Sequence, residues 1–184
     1  MAVADQQLPW FVARSAGVVA WALVTASVLW GLALSTRLVR RRGVPAWLLD
    51  LHRFLATLTV VFVAVHLVAL GADSYVAFGW REVFVPLASR WRPGAVAWGI
   101  VAFYLLTAVE VTSLVMRRLP RKLWRAVHTA SFPLFVVSTV HALQAGTDRA
   151  TIVVQWLTLT GATLVLFLAL FRLLAPRRAA APAG

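Results

Sequence analysis

The sequence predicts an all-α integral membrane protein, a five-helix transmembrane bundle. Three observations lead there. Of the 184 residues, 61% are hydrophobic and only 13% are charged, and the mean hydropathy is +0.83. A soluble domain of this size cannot bury that much apolar surface. Five stretches are long and apolar enough to cross a bilayer, which takes about 20 residues. Basic residues alternate between dense and sparse in the connections, as they do when a chain threads a membrane.

The elements follow in order. Residues 1–14 read as an outer N-terminal segment. A transmembrane domain then occupies residues 15–174. Its first span, residues 15–36, carries no charge. It exceeds a signal-peptide core and no basic stretch precedes it, so it is expected to remain as a true span. The second span, residues 46–71, is charged only near its start, at Asp50 and Arg53. Residues 74–91, SYVAFGWREVFVPLASRW, are too short and too charged to cross. They suit the outer interface as a short amphipathic helix that Pro86 would break, serving as a loop anchor or as a lid. The third span, residues 94–116, holds one charge, Glu110. The fourth and fifth, residues 126–147 and 150–171, are broken by none. Residues 175–184 form a tail.

Thirteen of the 18 Lys and Arg residues fall on one side of this arrangement. They are Arg37, Arg40, Arg41, Arg42 and Arg53, then Arg117, Arg118, Arg121, Lys122 and Arg125, then Arg172, Arg177 and Arg178. The other side has Arg14, Arg81, Arg90, Arg92 and Arg149. Cytoplasmic loops are enriched in Lys and Arg, which puts the N-terminus outside and the C-terminus inside a bacterial cytoplasmic (inner) membrane. Trp10, Trp80, Trp91 and Trp98 cluster at the outer boundary, with Trp47 and Trp124 at the inner one. The net charge of +12 is thereby assigned to topology and anionic lipid, with no nucleic-acid partner. The absence of cysteine excludes disulfides, thiolate catalysis, iron–sulfur clusters and covalent c-type haem attachment.

The chemistry lies in four histidines, His52, His66, His128 and His141, two on the second span and two on the fourth. An uncompensated polar side chain in hydrocarbon is costly, so each needs a partner. Both spans run from inside to outside. His52 and His128 share the inner depth and His66 and His141 the outer, about 20 Å apart along the axis. One intramembrane histidine commonly just bonds a neighbouring helix. Four matched in depth fit haem, whose iron takes two axial ligands on opposite faces. Zinc or copper would be left with too few ligands at each level. The expectation is two b-type haems between the second and fourth helices, on the pairs His52/His128 and His66/His141. Helix phase complicates this. Fourteen residues bring His66 within about 40° of His52, whereas thirteen leave His141 about 140° from His128. Pro133 lies between the latter two, and a distortion there would restore a common face.

The stretches LHRFLATLTVVFVAVHL and RAVHTASFPLFVVSTVHAL resemble the transmembrane domain of ferric reductases and NADPH oxidases. The same group includes the haem-binding membrane subunit of bacterial methionine sulfoxide reductase systems. The resemblance rests on the paired histidines, the LHR start of the second span and the fourteen and thirteen spacings, and covers about residues 45–147. It implies that His52, His66, His128 and His141 are axial ligands of two haems that carry electrons across the membrane. The family commonly has six helices, and five are found here, the first being the one missing. The flavin and nicotinamide module of the oxidases is not seen, nor is a Gly-rich dinucleotide fingerprint. Flavin is therefore expected only through a partner. The expected function is ferric reductase-like electron transfer. The donor would be a cytoplasmic flavoprotein reductase or quinol, and the acceptor an extracytoplasmic protein or ferric chelate. A cytochrome b561-like quinol oxidoreductase is the alternative within the redox class. A non-redox haem- or metal-binding scaffold or transporter is the alternative outside it.

Around this centre, Arg53 and Arg125 lie beside the inner histidines. They serve either positive-inside topology or a haem carboxylate, which an arginine fork suits. On the outside, Arg81, Arg90 and Arg92 are candidates to face outer haem propionates or an anionic acceptor. Arg118, Arg121 and Lys122 suit an acidic flavoprotein as well as topology. Phe62, Phe132 and Phe135 are candidates for the gap between the haems, or plain packing. Glu110 is the one carboxylate deep in a span.

Overall fold

Hydrocarbon offers a backbone nothing to bond, so each apolar stretch closes its hydrogen bonds as a helix. The computed structural model describes residues 2–35, 46–73 and 78–174. In chain order the helices are α1 (Ala2–Ser35), α2 (Ala46–Ala72), α3 (Trp80–Phe84), α4 (Pro93–Leu114), α5 (Arg121–Thr129), α6 (Ser131–Ala145) and α7 (Ile152–Leu174), with no strand among the described residues. Five units are long and apolar enough to cross a membrane: Gln7–Ser35 within α1, then α2, α4, α5 with α6, and α7. The end bearing Arg117, Arg118, Arg121, Lys122 and Arg125 is called inner below. Arg37, Arg40, Arg41, Arg42, Arg177 and Arg178 lie outside the described residues, as do residues 74–77 and the tail.

Three elements differ from expectation. The outer segment expected over residues 1–14 is helical from Ala2 and continuous with the first span. Leu8, Trp10, Phe11 and Val12 continue the apolar helix, and Pro9 removes only one hydrogen bond near its end. Arg14 on this stretch forms an ion pair with Asp148. Among its described residues the interfacial segment is helical over five, Trp80–Phe84. It stops before Pro86, and left-handed turns at Leu87 (φ 67°) and Arg92 (φ 42°) then fold the chain back to α4. The fourth span starts at Arg121 and breaks into α5 and α6 at Ala130. Pro133 has no N–H to give the Thr129 carbonyl four residues back, and the Ala130 N–H reaches only to Val127, at 2.9 Å. The distortion expected at Pro133 is thus centred one turn earlier.

α1 is the hub. It packs along α2 and also touches α6 and α7, while α4 packs on α5 and α6. Trp21, Val24, Val28 and Leu32 of α1 form one core with Ala102 and Leu106 of α4, Leu134 and Phe135 of α6, and Val165 of α7. Gly161 lets α7 lie close, because a Cβ there would meet Thr25 Cγ2 at 3.0 Å. α2 and α6 scarcely approach each other by backbone. The space between them is bridged by side chains. A second cluster, Phe78, Val96 and Ile100 with Val83 and Trp91, ties the outer segment to α4. The Tyr104 hydroxyl adds a bond to the Phe84 carbonyl at 2.5 Å.

Candidate functional site

α2 and the α5–α6 unit run in the same direction and present their histidines to one another at two depths. The His52 and His128 rings lie 6.2 Å apart by centroid, at 74° to each other. Those of His66 and His141 lie 6.5 Å apart, at 78°. The break at Ala130 is what brings His128 and His141 to one face despite their thirteen-residue spacing. The rings thus meet in two pairs, His52 with His128 and His66 with His141.

Each ring is held from behind by the preceding helix. The His66 Nδ1–H donates to the Ala13 carbonyl and the His141 Nδ1–H to the Ala95 carbonyl, each at 2.7 Å. A carbonyl only accepts, so both rings carry their proton on Nδ1 and leave Nε2 with a free lone pair. At the inner level Ser27 and Ser113 hydroxyls stand 3.4 Å from the Nδ1 atoms of His52 and His128. α1 thus supports both histidines of α2, and α4 supports those of α5 and α6. Glycines let the rings lie flush. A Cβ on Gly17 would come 3.1 Å from His66 Nδ1, and one on Gly31 would come 3.3 Å from His52 Cε1. On Gly99 it would come 2.6 Å from His141 Cε1.

This donor set suits one metal–nitrogen bond from each side. Two bonds of about 2 Å, plus about 1.1 Å from nitrogen to ring centre on each side, give a centroid separation of about 6 Å. Second-atom hydrogen bonds of this kind accompany metal-ligating histidines. Among the described residues no group of three or more His, Cys, Asp or Glu converges. A metal held there would have two imidazole ligands at each level and would need its other ligands from a bound group. A cavity between α1, α2, α4 and α6 is lined by His66, His141, Gly17, Gly99, Trp21 and Leu106 and is largely apolar. Its outer rim carries Arg14, Glu82, Asp148 and Arg149. Phe78, Val83 and Trp91 from the outer segment line it too.

The other candidates divide. Arg53 is exposed and bonds Asp50 at 3.2 Å. Arg125 is exposed on α5, one turn before His128. Arg92 donates to the Gln144 carbonyl at 2.7 Å and lies over the Trp91 ring. Arg81 and Arg90 are exposed. Phe135 is buried core and Phe132 packs against it. Phe62 instead lies in a shallow groove between α1 and α2 with Phe11 and Val19. Glu110 is half-buried on α4, one turn before Ser113.

Sequence reasoning missed Ala13, Gly17, Ser27, Gly31, Ala95, Gly99 and Ser113, the residues behind the rings. A signal was present. Ala13 and Ser27, Gly17 and Gly31, and Gly99 and Ser113 each repeat the fourteen-residue spacing of His52 and His66. Small residues are common in membrane helices, so that spacing stands out only once the partner helix is known.

The family model for the ferric reductase-like transmembrane component matches residues 16–139, more than half of the chain. The match takes in His52, His66 and His128 and ends two residues before His141. No curated protein and no solved structure gives a match. On the family match, the chain belongs to the ferric reductase-like transmembrane component family.

Proposed function

We propose that the chain is the membrane electron-transfer component of an oxidoreductase and holds two b-type haems. His52 and His128 hold the inner one and His66 and His141 the outer. The observation that carries this reading is the pair of ring separations, 6.2 and 6.5 Å, both matching a bis-imidazole iron site. Haem supplies a one-electron carrier at each level, with its potential set by ligands, hydrogen bonds and burial.

The chain's own residues do the rest. The Ala13 and Ala95 carbonyls fix the outer imidazoles in the tautomer that presents Nε2. Two imidazoles at each level would hold the group from both sides and leave donor and acceptor to react at the edges of the site. The apolar wall of the outer cavity excludes water. The inner end, with Arg117, Arg118, Arg121, Lys122 and Arg125, faces the cytoplasm by the charge rule and meets a reduced flavoprotein or quinol there. Electrons leave at the outer end to an extracytoplasmic protein or ferric chelate.

The test begins with the purified protein. Oxidised and dithionite-reduced spectra show a b-type signal, and a pyridine haemochrome assay gives about two haems per chain. A colourless protein from haem-replete cells overturns the reading in favour of a scaffold. In proteoliposomes of known orientation, a reduced flavin system on the inner side reduces a ferric chelate outside. Reduction only in the reverse arrangement overturns the direction.

A further inference from the structure

Trp124 lies on α5, one turn before His128, and stacks on its imidazole with centroids 5.1 Å apart and planes 27° apart. Its Nε1 atom is buried and has no hydrogen-bond acceptor among the described residues. Other indoles in the bundle are satisfied, Trp21 by the Thr139 hydroxyl at 3.0 Å and Trp30 by the Leu48 carbonyl at 2.9 Å. A buried N–H without an acceptor is costly and rare in native folds. An acceptor on a group seated beside His128 would satisfy it.

We infer that Trp124 is a positioning residue of the inner level. Its ring holds the plane of the His128 imidazole, and its N–H donates to a carboxylate of the porphyrin held by His52 and His128. This rests on the di-haem reading above. The charge setting agrees. Arg121, Lys122 and Arg125 flank Trp124 on the same short helix and favour an ionised carboxylate at this end. Donation to that carboxylate withdraws part of its negative charge from the iron and raises the inner potential.

Two substitutions separate the two roles. Trp124→Phe keeps a ring that stacks and removes the donor. We expect two haems per chain, with one of the two midpoint potentials lowered by about 59 mV, a tenfold shift in a one-electron equilibrium, and the other unchanged. Trp124→Leu also removes the stack, and the low-spin electron paramagnetic resonance signal of one haem moves as its ligand plane relaxes. If Trp124→Phe does not hold two haems, a benzothienyl analogue of tryptophan at position 124 replaces the N–H with sulfur at nearly unchanged shape. The same potential shift is then expected. A di-haem wild type whose midpoints stay put when the donor is removed overturns this inference alone. A wild type without haem overturns the di-haem reading and this inference with it.

Discussion

Gly99 has no Cβ, and the space one would fill belongs to His141. An added Cβ would stand 2.6 Å from Cε1 and 2.7 Å from Nδ1, while the ring is pinned by its bond to the Ala95 carbonyl. Overpacking of this kind costs about 1–3 kcal/mol, enough to move a ligand off its metal. Gly99→Ala is therefore expected to lower haem content from about two toward one per chain by the pyridine haemochrome assay. The wider contacts at Gly17 and Gly31, 3.1 and 3.3 Å, predict smaller losses in that order. Greater loss in Gly31→Ala than in Gly99→Ala would contradict the steric account. The hydrogen bonds behind the rings give a second prediction. An acceptor on Nδ1–H makes an imidazole a stronger donor to its metal and favours the oxidised state. Ser27→Ala and Ser113→Ala should raise the inner midpoint potential, each by no more than about 59 mV because the bonds they remove are long. A redox titration showing a fall in that midpoint would reverse the assigned role. At this scale the four histidines were legible in the sequence and the residues behind them were not. A histidine in hydrocarbon announces itself by its cost, whereas Gly99 or Ala95 is unremarkable until the neighbouring helix is in place.

The break between α5 and α6 does for the fourth span what helix phase denies it. In an unbroken helix His128 and His141 would point about 140° apart, and only one could face α2. The proline and its residue-129 partner were readable in advance as a source of distortion, but not the position or effect of that distortion. Those depend on Ala130 closing a tighter turn to Val127 and on Leu134 and Phe135 seating α6 in the core. Pro133→Ala returns an N–H to the Thr129 carbonyl and favours one continuous helix. The expected result is more helical signal in the apoprotein together with fewer haems per chain than the wild type. Full haem content with unchanged ligand spectra would show that core packing alone sets the break. The first span taught the opposite lesson. Its helix extends outward to Ala2 because Arg14, which reads as a boundary charge, is paired with Asp148 from the turn before α7. A partner 134 residues away in sequence is invisible to local pattern.

Two helical hairpins, α1 with α2 and α4 with α5–α6, face each other across the histidines, and α7 packs on α1. In each hairpin the first helix supplies the groups facing the ring Nδ1 atoms and the second supplies the imidazoles, at both depths. Five spans, their order and the depth of each histidine were legible from hydropathy and charge, since both follow from what a bilayer tolerates. The shared logic of the hairpins was not, because it lies in contacts between helices. The arrangement makes a decisive prediction about which histidines serve one iron. His52 and His128 approach to 6.2 Å and His66 and His141 to 6.5 Å, whereas the cross-depth partners are separated by about 20 Å of helix. Removing both ligands from one level should spare the other. His52→Ala with His128→Ala is expected to leave about one haem per chain. His52→Ala with His141→Ala damages both levels and leaves close to none. The two variants lose the same number of imidazoles, one from each hairpin, so a general loss of stability would affect them alike. The comparison is made on protein that inserts and remains monodisperse, with haem counted per chain. If the cross-depth variant retained more haem than the same-depth variant, the irons would have to bridge the two depths. α2 and α5–α6 could not then run in parallel, and the basic end would no longer mark the same depth on both hairpins.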